Sequence, residues 1–278
     1  MKSVSVRRYV RRRIIPTIER KYMRPVVPKG YHISRTKGAA AIIKVSEGGG
    51  SRITGRVAED PELFIGYDVW RESAASTMDD LFGFDIVPPT MLRSGRPSPR
   101  RAYDPRSMEH IQAARVGLSV QQLIPGTESL SSFLEVDSDD VDSWDSDEAT
   151  AVFTELVGRD VDKDDLIKIV LFDIILGHSD RHTGNVLIDR EVGPDGKRHA
   201  YAIDNESILR GDEPDFNWHA TWKMVAGLPI SFNIRQKLKS VGKGDFYAAL
   251  AGIETREIEN AWRRKQRLQS RQKVPSEW

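Results

Sequence analysis

Asp180, Asn185 and Asp204 stand out in this sequence as side chains arranged for chemistry. Asp180 and Asn185 share the polar run His178-Ser179-Asp180-Arg181-His182-Thr183-Gly184-Asn185, and Asp204 follows the short apolar run Ala200-Tyr201-Ala202-Ile203. Moving a phosphoryl group from a nucleotide to a hydroxyl calls for such a set. It needs a carboxylate beside the attacking hydroxyl and hard oxygen ligands for the Mg²⁺ on the nucleotide phosphates.

The flanking sequence has to hold these groups in place. Leu166, Ile167, Ile169, Val170, Ile174 and Ile175 are apolar at helical spacing and nearly all round, which predicts a buried helix. Gly177 is placed to stop it. Val186–Ile188 reads as an apolar strand, and Gly193-Pro194-Asp195-Gly196 as the turn of a hairpin joining Val186–Glu191 to Arg198–Asp204. Closing that hairpin carries Asp204 back beside Asn185. The apolar segments must be buried, so the acids at their ends are pinned near the core. Carboxylates gathered there repel unless a cation sits among them, which a nucleotide–metal site accounts for and a plain surface loop does not.

Plainer readings compete. His178 and His182 are spaced for zinc on a helix, but Ser179 stands where a zincin places its Glu, and Gly177 has already ended the helix. Asp180 and Arg181 would otherwise only cap and solvate a loop, and Asp204-Asn205 would be a simple turn.

Asp180-Arg181-His182 with Asn185, followed by Ile203-Asp204, resembles the catalytic and metal motifs of the phosphatidylinositol 3-/4-kinase-like superfamily, with its D-R-H-x-x-N loop and later I-D acid. Ile203-Asp204-Asn205 is also similar to the metal motif of type II phosphatidylinositol 4-kinases. The resemblance implies that Asp180 is the catalytic aspartate and that Asn185 and Asp204 bind Mg²⁺. It gives His182 the task of orienting the loop or stabilising the transferring group.

A second set of motifs carries the resemblance upstream. Arg71-Glu72-x-Ala74-Ala75, then Leu81-Phe82-Gly83-Phe84-x-x-Val87-Pro88-Pro89-Thr90, resembles the small lobe of bacterial phosphatidylinositol-kinase-like proteins. Ser119-Val120-Gln121 is similar to their strand that leads into the hinge. By this likeness, backbone groups near Gln122, Leu123 and Ile124 face adenine. Lys44, in the strand-like run Ala39–Val45, would hold the α- and β-phosphates of ATP, with Glu72 as its ion-pair partner and Glu62 as the alternative. Glu72 falls in a helix expected from about Pro61 or Glu62 into Leu81-Phe82. The loop Ser34-Arg35-Thr36-Lys37-Gly38 could cover phosphates through its amides and Lys37, although it is not a G-x-G-x-x-G loop.

Composition narrows the class. The chain has 278 residues, a net charge of +1 and no cysteine. Disulfide scaffolds and thiol catalysis are thereby excluded, and a reducing, cytoplasmic location is expected. No apolar run is long enough to span a membrane. There is no global pull toward nucleic acid and no nucleic-acid motif. Charge comes in blocks: a basic arm before residue 25, an acidic run from Glu135 to Glu148, and a basic stretch from Thr255 to about Lys273. The basic ends could meet an acidic partner, although a solvated helical face is the default for the last of them. The acidic run fails as a calcium loop, because Val141 and Asp142 occupy the fifth ligand and glycine positions. It reads as linker and helix N-terminal charge, and Asp162 with Asp165 as a cap for the helix that follows.

The expected fold is α+β and two-lobed, like a protein kinase. A basic arm occupies 1–30, a small lobe with an antiparallel sheet 31–124, and a mainly helical large lobe 125–278. The expected function is ATP- and Mg²⁺-dependent phosphorylation of a protein serine or threonine. Few basic residues lie between Ser207 and Lys223, where phosphoinositide kinases hold the lipid head group. A lipid or small-molecule kinase, and an inactive kinase-fold binding module, are the alternatives.

Overall fold

In this computed structural model the described residues are 32–36, 39–45, 63–64, 67–95, 115–136, 144–209 and 220–276. The basic arm, the phosphate-loop lysine Lys37, Glu62, the glycine run after Ser46, most of the acidic run and the segment 210–219 lie outside them. The chain divides into two compact units. One holds the residues up to Thr77, with Pro88–Ile124 and Ala251–Glu254. The other holds Met78–Val87, Pro125–Leu250 and Thr255–Trp278.

The first unit is built on a sheet. β-branched residues favour extended backbone, and Ile42, Ile43 and Val45 fall in β2 (Ala39–Val45) and Val116 and Val120 in β5 (Arg115–Gln122). β1 (His32–Thr36) pairs antiparallel with β2, β2 antiparallel with β5, and β4 (Thr90–Gly95) antiparallel with β5. β3 (Leu63–Phe64) adds a short parallel pairing to the start of β5. The helix after it, α1, spans Tyr67–Phe82. It therefore starts later than its sequence suggests. Leu63 and Phe64 pair with β5, and Gly66, a poor helix former, separates them from α1. Two sequence motifs lock together here. Gln121 Nε2 donates to Thr90 Oγ1 at 3.0 Å, Thr90 N–H donates to Ser76 Oγ at 3.0 Å, and Gln122 N–H donates to Pro89 O at 2.9 Å.

The second unit is mainly helical. β6 (Thr127–Ser129) leads into α2 (Leu130–Leu134). α3 (Ser146–Gly158) opens on a capping box in which Asp145 accepts from the Asp147 and Glu148 amides, so the end of the acidic run serves a helix N-terminus. α4 (Lys163–Leu176) is capped by Asp162, whose side chain accepts from Asp164 N–H. Asp165 does not cap; its carboxylate meets Lys168 and His199 instead. α4 is buried on every side from Leu166 to Leu176 except at Lys168, and Gly177 closes it in the left-handed conformation at φ 65°.

β7 (Val186–Asp189) and β8 (Ala200–Ala202) form the expected hairpin, with strands shorter than the sequence suggests. Gly193 N–H donates to Lys197 O and Gly196 N–H to Gly193 O, which makes the turn. α5 (Ala220–Val225), α6 (Phe232–Ser240), α7 (Lys243–Ala249) and α8 (Thr255–Gln269) complete the unit. Phe82, Phe84, Phe246 and Trp262 stack in a chain of rings through its core.

The basic stretch of α8 is not simply a solvated face. Arg264 and Lys265 are buried. Arg264 Nε donates to Ile175 O at 3.0 Å, and Lys265 Nζ donates to Val241 O at 2.6 Å while lying over the Trp262 ring. Each carbonyl lies at or near a helix C-terminus, where a donor satisfies an otherwise orphaned acceptor. Among the described residues, no helix is long and apolar enough to cross a membrane.

Candidate functional site

The site lies at the open end of the β7–β8 hairpin. Ladder register sets Val186 opposite Ala202. Ile203 N–H then donates to Asn185 O at 3.0 Å, so Asn185 and Asp204 leave the hairpin side by side. Buried apolar side chains at Val186, Ile188, Ala200 and Ala202 anchor both strands. Ala202 N–H donates to Ile86 O at 2.8 Å, and the buried Asp79 carboxylate ties down the Ile86 and Val87 amides.

Arg181 holds the loop from within. Its side chain is wholly buried and its guanidinium donates in several directions. Nε and Nη2 bind the Asp173 carboxylate on α4, Nη1 binds the carbonyls of Asn185 and Ile203, and Nη2 reaches Asn205 Oδ1. One planar fork thus ties α4, the loop and the end of β8 together. Burial pushes the Asp173 carboxyl up, and the Arg181 guanidinium opposes that shift. An aspartate in an otherwise apolar helix needs such a partner, and that was the available signal for Arg181 in the sequence. Reading it as a solvated loop residue is corrected by this burial.

Asp180 has both its backbone groups engaged while its side chain faces solvent. Its N–H donates to His178 Nδ1 at 3.1 Å, and its C=O accepts from Asn185 Nδ2 at 3.1 Å. With Nδ2 used in this way, the Asn185 amide oxygen is the side-chain atom that could ligate a cation. His182 Nδ1 accepts from Gly184 N–H at 3.1 Å, which caps the short 3-10 helix Thr183–Asn185. The two histidines lie off any shared helix turn, so the zinc alternative finds no helical pair here.

Asp204 adopts the left-handed conformation, φ 53° and ψ 56°, rare for a residue with a side chain and concentrated at functional sites. A short 3-10 helix, Asn205–Ser207, follows it and brings in Glu206. Carboxylate oxygens of Asp204 and Glu206 lie within 4.8 Å of each other. Glu206 escaped the sequence reading, although the run Asp204-Asn205-Glu206 holds it in plain view.

The remaining sequence-derived residues belong to the first unit. Lys44 lies in β2 opposite Ser119, its side chain outside the described part. Glu72 is buried in α1. Gln122, Leu123 and Ile124 are half-buried at the end of β5, and the Gln122 N–H is used on Pro89 O. Asp180, His182, Asn185 and Asp204 are the four that one unit gathers within a single loop-and-hairpin assembly.

No family model matches the chain, and no curated protein matches it in sequence. Solved structures match it in fold. A Golgi casein kinase with Mn and ADP bound aligns over 88% of this chain and 73% of its own, at 15% identity and TM-score 0.52. A hydra Fam20 with sugar aligns over 86% of this chain and 79% of its own, at 14% identity and TM-score 0.55. The chain has the α+β, kinase-like fold of these neighbours.

Proposed function

We propose that this chain is an ATP- and Mg²⁺-dependent phosphotransferase of the phosphatidylinositol 3-/4-kinase-like type, acting on a protein serine or threonine. One observation carries the reading: on a kinase-like fold, Asp180, Asn185 and Asp204 converge at one hairpin end, in the D-R-H-x-x-N and I-D order.

Asp180 is suited to orient the acceptor hydroxyl and take its proton, since its carboxylate is exposed while its backbone is held at both ends. Asn185 and Asp204, joined by Glu206, would hold the metal. The donor set fits a hard divalent cation: an amide oxygen and two carboxylates, with no sulfur. Bound there, Mg²⁺ would bridge the nucleotide phosphates and neutralise charge during transfer. The neighbouring Golgi casein kinase, crystallised with Mn/ADP, supports a nucleotide and divalent-metal site. Its description as a casein kinase favours a protein acceptor, as does the scarcity of basic residues between Ser207 and Lys223. Lys44 and Glu72 are assigned the phosphate-binding pair, and Leu123 and Ile124 the edge of the adenine pocket.

Labelled ATP, Mg²⁺ or Mn²⁺ and a host lysate test the proposal. Label in protein is expected, and Asp180→Ala and Asp204→Ala should abolish it while leaving the circular dichroism spectrum intact. Wild-type turnover in Asp204→Ala would defeat the metal assignment. Label confined to lipid would defeat the protein acceptor. Nucleotide binding without turnover would leave a binding module.

A further inference from the structure

Gly252 lies between α7 and α8, yet Ala251–Glu254 belongs to the first unit, as does Trp70 in the first turn of α1. The backbone at Gly252 rests on the Trp70 ring. A Cβ built there would overlap Trp70 Cζ2 and stand 2.9 Å from Cε2 and 3.1 Å from Cη2. The residue also takes φ 102°, which residues with side chains rarely adopt. Two separate requirements therefore make this position glycine.

The contact falls on one particular side of α1. Each residue turns the helix by about 100°, so Trp70 and Glu72 project about 200° apart. Glu72, Ala75, Ser76 and Asp79 are buried on one side, whereas Trp70, Ser73, Thr77 and Leu81 are half-buried on the other. The C-terminal half of the helix has its own anchors. Thr90 N–H donates to Ser76 Oγ at 3.0 Å, and Lys237 Nζ donates to Gly83 O at 2.5 Å. Gly252 backs the N-terminal half, on the side away from Glu72.

We infer that Gly252 and Trp70 form a backstop that keeps Glu72 in place, which makes Trp70 a positioning residue for the phosphate-binding pair. This rests on the assignment of Glu72 to that pair. A helix start free to slide outward would carry Glu72 with it, because the backbone hydrogen bonds of α1 move its first turns together. The indole fills the space behind the helix. The glycine, having no Cβ, lets the chain close directly on that ring.

Binding of Mg-ATP, measured by isothermal titration calorimetry, tests the backstop. Gly252→Ala pushes a methyl group into the ring, and the Kd for Mg-ATP is expected to rise by roughly tenfold or more from the misplaced helix. Trp70→Phe removes the outer part of the indole that the methyl would strike. In that background Gly252→Ala should leave the Kd where Trp70→Phe alone sets it. The φ strain is common to both backgrounds, so the difference reads the ring. In a Glu72→Gln background, Trp70→Ala should add no further rise, since the ring acts through Glu72. A contact that merely stabilised the fold would lower the binding stoichiometry and leave the Kd alone. That pattern, or full additivity with Glu72→Gln, would overturn the proposal.

Hydrogen exchange judges the same point without nucleotide. In Trp70→Ala, or in Trp70→Phe where the first variant does not fold, the amides of 71–77 should exchange roughly tenfold faster or more, while those of 78–82 keep their protection. Equal protection of 71–77 in wild type and variant would overturn the inference. Failure of the phosphotransferase reading would appear separately, as wild-type protein that neither binds Mg-ATP nor turns it over, while hydrogen exchange still judges the backstop.

Discussion

Arg181 Nε lies 3.0 Å from the Asp173 carboxylate, with both side chains buried. The pair joins the rigid α4 to the loop that bears Asp180 and, through the other guanidinium nitrogens, to the backbone beside Asp204. The loop bearing Asp180 is therefore held by a buried pair that solvent does not reach.

Removing one member of that pair should be severe. Arg181→Met leaves a buried carboxylate with no counter-charge, and a loss of about 3–5 kcal/mol in urea unfolding is expected. Arg181→Lys keeps the charge but cannot span Asp173, Asn185, Ile203 and Asn205 at once, so turnover should still collapse. The double substitution Arg181→Met with Asp173→Leu should recover most of the stability and none of the turnover. Recovery of both would show that the fork does not position the loop.

Gly184→Ala should act through His182. A Cβ at this glycine would stand 2.9 Å from His182 Cε1 and Nδ1, and the ring, being a movable side chain, would give way. The His182 bond to Gly184 N–H would be lost. Melting temperature should change little, while kcat falls by roughly tenfold or more from misplacement near the chemistry. In a His182→Ala background the same change should add nothing further. An equal loss in that background would remove His182 from the explanation.

Glu206→Gln tests the metal set directly. One carboxylate charge near Asp204 disappears while the shape is kept. The Mg²⁺ concentration for half-maximal turnover should rise on the order of tenfold, since affinity follows ligand charge count. Unchanged metal dependence would leave Asp204 and Asn185 as the binding pair.

Two groups should give stability opposing pH slopes. His199 bonds Asp165 at 2.8 Å and Asp195 at 2.9 Å, which outweighs its partial burial and raises its pKa to about 9. Its contribution is fully present below the unfolded value of 6.5 and is lost as pH rises through about 9. Lys265 is displaced the other way, to about 8, by burial. The cost of charging it in the folded state is present below about 8 and is relieved as pH climbs toward 10.5. Urea midpoints measured against pH should therefore lose their alkaline fall in His199→Gln and their alkaline rise in Lys265→Met. Identical profiles in wild type and His199→Gln would show that the His199 bridge to the hairpin turn does not stabilise the fold.

Local order was legible in the chain itself. The apolar run of α4, its stop at Gly177, the turn at Gly193–Gly196 and the pairing of Asn185 with the strand before Asp204 all depend on neighbours in sequence, where periodicity and turn chemistry act. The D-R-H-x-x-N and I-D motifs were readable for the same reason. Tertiary structure alone decided the rest. Arg181 looks like a surface charge until Asp173 is folded against it, and His178 looks like half a zinc pair until Asp204 arrives from a distant segment. Arg264 and Lys265 look like a solvated face until helix carbonyls meet them. Leu63 and Phe64 look like the start of a helix until β5 offers them a partner strand. In each case the deciding partner lies on another element, eight residues away for Arg181 and more than twenty for the others. Whether a charge is solvated or buried, or an apolar pair extended or helical, depends on groups that only the folded chain brings within reach.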